Sequence, residues 1–363
     1  MSDNLKRYRA ISAGLKQFFP GRLTPRQAQH FQVMAGMING IVGSRKVQLP
    51  AMADKFPSSA QRESRIKRFS RWLQNDAIQM DIYFAPFAEA LLAGLADQAL
   101  VLVIDGSSVG CGCQCLMLSV VYRNRALPLG WIVFEGEKGH SREARHIELL
   151  RQVQPLIPDG ATVIVLGDGE FDGVDWLDQI QTGGWFYVCR TAQNAILYED
   201  GYRFSFADWG ADMGTCHSLT DVTFTDADYG PVMAISWWRE DCQEPIYLVT
   251  NMQLPEEACH YYQQRFTIET FFSDQKSRGF HLHKSHLSDP QRLARLLIAA
   301  CLAYIWMIYL GVQAQSDTLR RLIHRTHRCD LSLFQLGLAL LEHWLNHDEP
   351  IQVAFSVPPH ALY

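Results

Sequence analysis

The sequence predicts an α/β protein in which a mixed-sheet core is interrupted by a β-rich insertion and preceded by a basic helical region. Three observations carry this reading. Two apolar runs, in LVLVIDGSSVG (100–110) and TVIVLGDGEFDG (162–173), have the composition of strands covered on both faces. The segments around them alternate in the order β-β-β-α-β-α-β. The chain before residue 95 has helical periodicity and holds a large share of the positive charge.

In chain order, TPRQAQHFQVMAGMINGIVG opens a helix with Thr24 as N-cap and Pro25 at the first helical position. SAQRESRIKRFSRWLQN (59–75) is a second helix, apolar at Ile66, Phe69, Trp72 and Leu73 and basic on its other side. The run 100–104 is a strand ending in Asp105. CLMLSVVYR and LPLGWIVFEG follow as strands, and Ser141 to about Leu156 is a helix. The second apolar strand ends in Asp168, then come a short helix, VDWLDQIQ, and a fifth strand, GWFYVCR. Residues 192–250 contain short strands, turn signals at 199–201 and 228–230 and many aromatics, closing with PIYLVTN (245–251). The expected organisation is a helical basic region at 1–95, a first core segment at 96–191, a β insertion at 192–252, a second core segment at 253–315 and a helical tail at 316–363.

Charge is unevenly spread. Residues 1–75 hold fourteen Lys and Arg against three Asp and Glu, a surplus of +11, and the remainder of the chain stands at −16. A basic DNA- or RNA-facing module joined to an acidic body fits this asymmetry, with Arg62, Arg65, Lys67 and Arg68 as candidate backbone contacts. An acidic body is unfavourable beside phosphate unless cations neutralise it. The nine cysteines form no CxxC pair and no secretory signal opens the chain, so a reducing cytoplasm is expected. Cys111, Cys113 and Cys115 recur at period two and read as buried strand cysteines. The apolar stretch 296–312 is 17 residues long, short for a membrane span, and reads as a helix buried in a large core. No glycine-rich nucleotide loop is present, so ATP is not implied.

The stretch YYQQRFTIETFFSDQKSRGF (261–280) sets Tyr262, Arg265, Glu269 and Lys276 at offsets 0, 3, 7 and 14. On one helix, at about 100° per residue, they fall at roughly 0°, −60°, −20° and −40°. All four side chains then share one narrow stripe, with Gly279 expected at the C-cap. An Arg265–Glu269 pair at i, i+4 on a surface helix is the plain alternative. A working face is the sharper one, the carboxylate holding a cation and Tyr, Arg and Lys gripping phosphate. Asp105 and Asp168 join Glu269 if their two strands lie side by side. Three converging carboxylates repel unless divalent cations stand between them, and hard oxygen donors suit Mg²⁺ or Mn²⁺. Glu170, Asp172, Asp175 and Asp178 are competing acids, the last three expected on the following helix.

These residues carry a family resemblance. VIDGSS is similar to the first acidic motif, and VLGDGEFDG to the second, of the DDE transposases of the insertion-sequence type, in the IS-four branch. Residues 262–276 match the Tyr-x2-Arg-x3-Glu-x6-Lys signature at all four positions. The resemblance covers roughly residues 60–315. It implies a ribonuclease H-like catalytic fold and metal-dependent, cut-and-paste transposition with two ions. Asp105, Asp168 and Glu269 are then the catalytic metal ligands, and Tyr262, Arg265 and Lys276 contact the transposon-end strand. In relatives that form a hairpin, an insertion-domain aromatic stacks on a flipped base, a role the resemblance gives to Tyr247, with Trp237 and Trp238 as substitutes. The partners implied are double-stranded DNA at the element ends and at the target, and a second copy of the chain, because paired ends must be cut together. A plain nuclease of the same fold clan and a host-adopted DNA-binding protein are the competing functions.

Overall fold

The computed structural model describes residues 2–359 apart from 20, 22, 137, 138, 140 and 326–328, so Arg22 of the basic count lies outside the described residues. Six helices open the chain: α1 (Asp3–Gln17), α2 (Pro25–Ser44), α3 (Leu49–Lys55), α4 (Arg62–Leu73), α5 (Met80–Tyr83) and α6 (Ala85–Ala93). Strands β1 (Leu100–Gly110), β2 (Cys113–Tyr122) and β3 (Arg125–Glu135) form a meander, followed by α7 (Glu143–Val153), β4 (Val163–Gly167), α8 (Val174–Thr182) and β5 (Phe186–Thr191). Next are β6 (Ile196–Glu199), β7 (Tyr202–Ser205), α9 (Phe206–Trp209), β8 (Cys216–Phe224), β9 (Tyr229–Trp237) and β10 (Ile246–Thr250). The chain continues with α10 (Pro255–Tyr262), α11 (Thr267–Gln275), α12 (Pro290–Gln313), α13 (Asp317–Ile323) and α14 (Leu333–Asn346).

The described strands make one sheet of ten, in the order β3-β2-β1-β4-β5-β10-β9-β8-β6-β7. Strands β1, β4 and β5 are parallel to one another and β2 runs antiparallel between β1 and β3. That order and those directions are the ribonuclease H-like sheet. Strands β6 to β10 continue the same sheet beyond β5 through an antiparallel β5–β10 pair. β1 is buried from Leu100 to Asp105, as its apolar run requires.

Local chemistry explains most boundaries. Thr24 caps α2, its hydroxyl accepting from the Gln27 amide while Gln27 reaches back, with Pro25 at the first position. The helix expected from residue 59 starts at Arg62 instead, after a turn in which the Ala60 amide donates to Ser58 Oγ, and it buries Phe69, Trp72 and Leu73. Cys113 and Cys115 lie buried on β2, whereas Cys111 is exposed in the turn before it.

Helix α12 is the axis of the core. Among the described residues it has the length and hydropathy of a membrane span, yet 89% of its most apolar window is buried inside the protein. It packs on α2, α4, α14 and β3. The crossing with α14 is so close that a Cβ on Gly337 would stand 1.9 Å from the Met307 carbonyl oxygen, and one on Gly311 1.9 Å from that of Leu333.

Candidate active site

Strands β1 and β4 are adjacent, parallel and in register through Val103 and Leu166. Asp105 and Asp168 each stand two residues beyond that pair. Contrary to expectation, the first strand does not end at Asp105 but runs on to Gly110, because it keeps pairing with β2; alternation puts Asp105 on the face of Val103, and Asp168 follows directly on the end of β4 beside it. Asp105 is buried, with one carboxylate oxygen accepting from the Gly106 amide at 2.7 Å. Asp168 is half-buried, and its Oδ1 accepts from the Glu170 amide at 3.0 Å.

The competing acids are placed differently from one another. Glu170 turns its Oε1 to the Ser141 amide at 3.2 Å, ahead of α7. Asp172, expected on the following helix, lies before it and accepts from Thr191 Oγ1 at 2.7 Å; burial raises its pKa. Asp175 and Asp178 are exposed on α8.

The single helix expected over 261–280 is broken. α10 ends at Tyr262, a 3-10 turn spans Gln263–Phe266, and α11 ends at Gln275. A 3-10 turn advances about 120° per residue rather than about 100°, so the four positions do not keep one stripe by helical phase alone. Lys276 is the C-cap residue, so Gly279 is not the C-cap. It is small for another reason: a Cβ there would meet the Asp274 carbonyl oxygen at 2.1 Å.

The broken segment nevertheless converges on the acids through Arg265. Its side chain is only 8% exposed. Nη2 donates to Glu269 Oε1 at 2.9 Å, and Nη1 stands 3.7 Å from Asp168 Oδ2. The i, i+4 ion pair is therefore real, but it is set into the site and not on a surface helix. One guanidinium bridges two carboxylates, which offsets both its own burial and their repulsion. Lys276 reaches β1, where Nζ donates to Ser107 Oγ at 2.5 Å, two residues from Asp105.

A cleft of about 660 Å³ opens beside Asp168 and is lined also by Arg190, Tyr247, Tyr262 and Arg265. Tyr262 is 2% exposed, and burial pushes its hydroxyl up to about 12, so it enters as a neutral donor or acceptor. Tyr247 is 9% exposed and packs at 5.3 Å on Phe206, so it faces both core and cleft. Two residues at the site escape sequence reasoning, Arg190 in the cleft and Phe266 against Arg265. Arg190 is exposed at the end of β5, where a lone arginine closing an apolar strand was the available signal. Phe266 is 50% exposed, its ring 4.3 Å beneath the Arg265 guanidinium, and an aromatic directly after Arg265 was the signal there.

The candidate cations of α4 are not brought to the acids, since α4 packs on α2, α3 and the start of α12. Arg62 pairs with Asp54 at 2.6 Å, Arg65 donates to the Phe56 carbonyl at 3.0 Å, Arg68 lies over the Phe56 ring, and Lys67 is exposed.

Whether these residues suit a divalent cation depends on the donors. Asp105 and Asp168 are hard oxygen donors side by side, the right chemistry for magnesium or manganese. Glu269 is turned to Arg265 instead, and among the described residues no three His, Cys, Asp or Glu side chains stand together closely enough to hold an ion. The aspartate pair fits such an ion; the third ligand is engaged by arginine.

Comparison with known proteins follows this geometry. The family profile described as "Transposase DDE domain" matches residues 97–306. A search of curated proteins finds no match. Among solved structures, a piggyBac transposase synaptic complex with hairpin DNA aligns at 12% identity and a TM-score of 0.47, covering 96% of this chain and 82% of that one. Human ENDOV aligns at 14% identity and a TM-score of 0.24, covering 61% of this chain and 95% of that one.

Proposed function

Because the chain belongs to the transposase DDE domain family and is on that ground a DNA transposase, we propose that it works by cut-and-paste, cleaving at the ends of its element and joining the freed 3′ ends to a target. Divalent metal dependence comes with the family; the ions, magnesium or manganese, and their number, two, belong to the proposal. The observation that supports the reading best is Asp105 on β1 and Asp168 just past the adjacent parallel β4, each two residues beyond the registered pair Val103 and Leu166, with Arg265 spanning Asp168 and Glu269.

Asp105 and Asp168 would hold the cation, and Glu269, now paired with Arg265, would be the third ligand. When bound, the cation offsets the charge that develops on the attacking and leaving oxygens of the phosphodiester. Arg265, Lys276 and the Tyr262 hydroxyl grip the end strand and set its scissile phosphate against the acids. Tyr247 stands on the cleft wall where an unpaired base of that strand can stack. Lys67 and its neighbours on α4 add affinity for the DNA backbone away from the acids. A homodimer brings two such sites to two ends, and the protein works where its DNA lies, in the cytoplasm.

Cleavage of a labelled end duplex with and without Mg²⁺ tests the reading. Asp105→Ala, Asp168→Ala and Glu269→Ala should each abolish strand cleavage while DNA binding persists. Arg265→Ala and Lys276→Ala should weaken assembly on the end duplex. Full cleavage by Asp168→Ala would overturn the assignment.

A further inference from the structure

We propose that residues 276–288, together with Lys46 of the α2–α3 turn, form a second track for the sugar–phosphate backbone of duplex DNA, on the side of the acids opposite the cleft. This rests on the reading of the site above and adds residues outside the signature motif, which contains only Lys276 of this segment.

Composition marks the segment out. Between Lys276 and Ser288 stand Lys276, Arg278 and Lys284 with His281, His283 and His286, and no Asp or Glu. Outside residues 1–75 the chain is strongly acidic, so this stretch is a local exception. Burial then sorts its side chains. Phe280, Leu282, Ser285 and Leu287 are buried, whereas Arg278, His283, Lys284 and His286 are exposed. The apolar residues pin the segment down and the cations face out.

Three hydrogen bonds fix it to separate elements. The Val47 amide donates to the Phe280 carbonyl at 3.0 Å, which brings the α2–α3 turn and its exposed Lys46 alongside. Lys276 is tied to Ser107 on β1, and Cys113 Sγ on β2 donates to the Ser288 carbonyl at 3.2 Å. His281 and His286 hold left-handed backbone conformations, at φ 56° and 60°, that a non-glycine residue adopts only where its surroundings impose it. The neighbours of His283 are themselves cationic: burial and then Lys284, His281 and Lys276 lower its pKa. A polyanion would relieve that mutual repulsion.

Position decides the ligand. In the sheet order the segment lies against β1 and β2, while the cleft lies against β4, β5 and β10. Asp105 on β1 and Asp168, just past β4 at the near edge of the cleft, stand where the two meet. A strand held in the cleft with its phosphate at the acids continues onto the basic segment. Rigid placement of several cations along a path is the arrangement that binds a duplex backbone without reading its bases.

The test uses the full chain and a mixed-sequence duplex two helical turns long. Binding is followed across a salt titration, and metal-dependent nicking of the labelled end duplex is measured in parallel. Arg278→Ala/Lys284→Ala should give a plot of log K against log salt shallower by about 2, so that a fourfold rise in salt costs the natural chain about tenfold more affinity than the variant. Arg278→Lys/Lys284→Arg should keep the original slope. Should the alanine pair fail to fold, Arg278→Gln/Lys284→Gln keeps the stems and reads the same slope. Equal slopes for the charge-removing variant and the natural chain, with nicking intact, would overturn the track and leave the functional reading standing. A natural chain that neither nicks nor binds would overturn the functional reading and the track with it.

Discussion

Arg265 carries more of this site than its place in a four-residue signature suggests. It is nearly buried and lies between two carboxylates, so it performs the electrostatic service a divalent cation would otherwise supply. Arg265→Ala should therefore make the fold lean harder on metal. Thermal melting with and without Mn²⁺ should show a larger metal-induced rise for Arg265→Ala than for the natural chain; equal rises would mean that Asp168 and Glu269 do not need the guanidinium. Asp274, one turn past Glu269 on the same helix, behaves differently. It is 3% exposed, and burial raises its pKa from 3.8 to about 6 despite Arg125 at 3.4 Å and the charge of Arg278. A carboxyl with a raised folded pKa favours the fold when protonated. Its contribution is best below about pH 4, falls as pH rises from about 4 to about 6, and stays lower above that. Asp274→Asn should remove that decline and gain about 1–3 kcal/mol at pH 7–8. Denaturant melts across the pH range decide this, and a loss at neutral pH would show that the Arg125 pair outweighs burial.

At the scale of elements, the break between α10 and α11 matters more than either helix. The 3-10 turn lets Tyr262 close the cleft wall while Arg265 turns inward and Glu269 begins the next helix. Lys276 follows the end of α11 and swings to β1. The α12–α14 crossing is the clearest case in which packing overrides propensity. Alanine is the better helix former by about 1 kcal/mol, and in an open helix Gly337→Ala would stabilise. Here its methyl would stand 1.9 Å from the Met307 carbonyl oxygen, backbone that cannot give way cheaply. Gly337→Ala should cost about 2–3 kcal/mol. A higher melting temperature for that variant would mean the helices stand further apart than described.

At the scale of the whole molecule, the basic N-terminal helices and the catalytic sheet share one core. α2 and α4 pack on α12, and Arg295 of α12 donates to the Leu73 and Ile78 carbonyls and pairs with Asp76 at 2.6 Å. Removing residues 1–75 would therefore strip apolar cover from α12 as well as positive charge. A chain begun at residue 76 should lose cooperative melting, followed by circular dichroism, along with DNA affinity. A sharp unfolding transition in that chain would show that the sheet and α12 stand without the helices. Surface substitutions such as Lys67→Ala are the cleaner probe of charge, because that side chain is exposed.

Local chemistry in the chain was enough to place much of this protein. The capping pattern at Thr24 and Pro25, the two apolar strand runs that lead to Asp105 and Asp168, and the buried character of 296–312 follow from short-range periodicity and from the cost of exposing apolar surface, although β1 runs on past Asp105 to Gly110. The spacing of Tyr262, Arg265, Glu269 and Lys276 was equally visible, but the reason the residues meet was not, because one uniform helix is the wrong frame for a segment split by a 3-10 turn. Three further features depend on contacts that helical or strand period does not show. Arg190 lines the cleft, and the Phe266–Arg265 contact lies beside it, because β5 and the 3-10 turn are brought to Asp168. Most cations of α4 are engaged by Asp54, Phe56 and Gln32, which no charge count can foresee. The basic segment after α11 gains its position from Val47, Ser107 and Cys113. Period and composition report on neighbours within a few residues; partners separated by a hundred or more are set by how the sheet and its helices close around a common core.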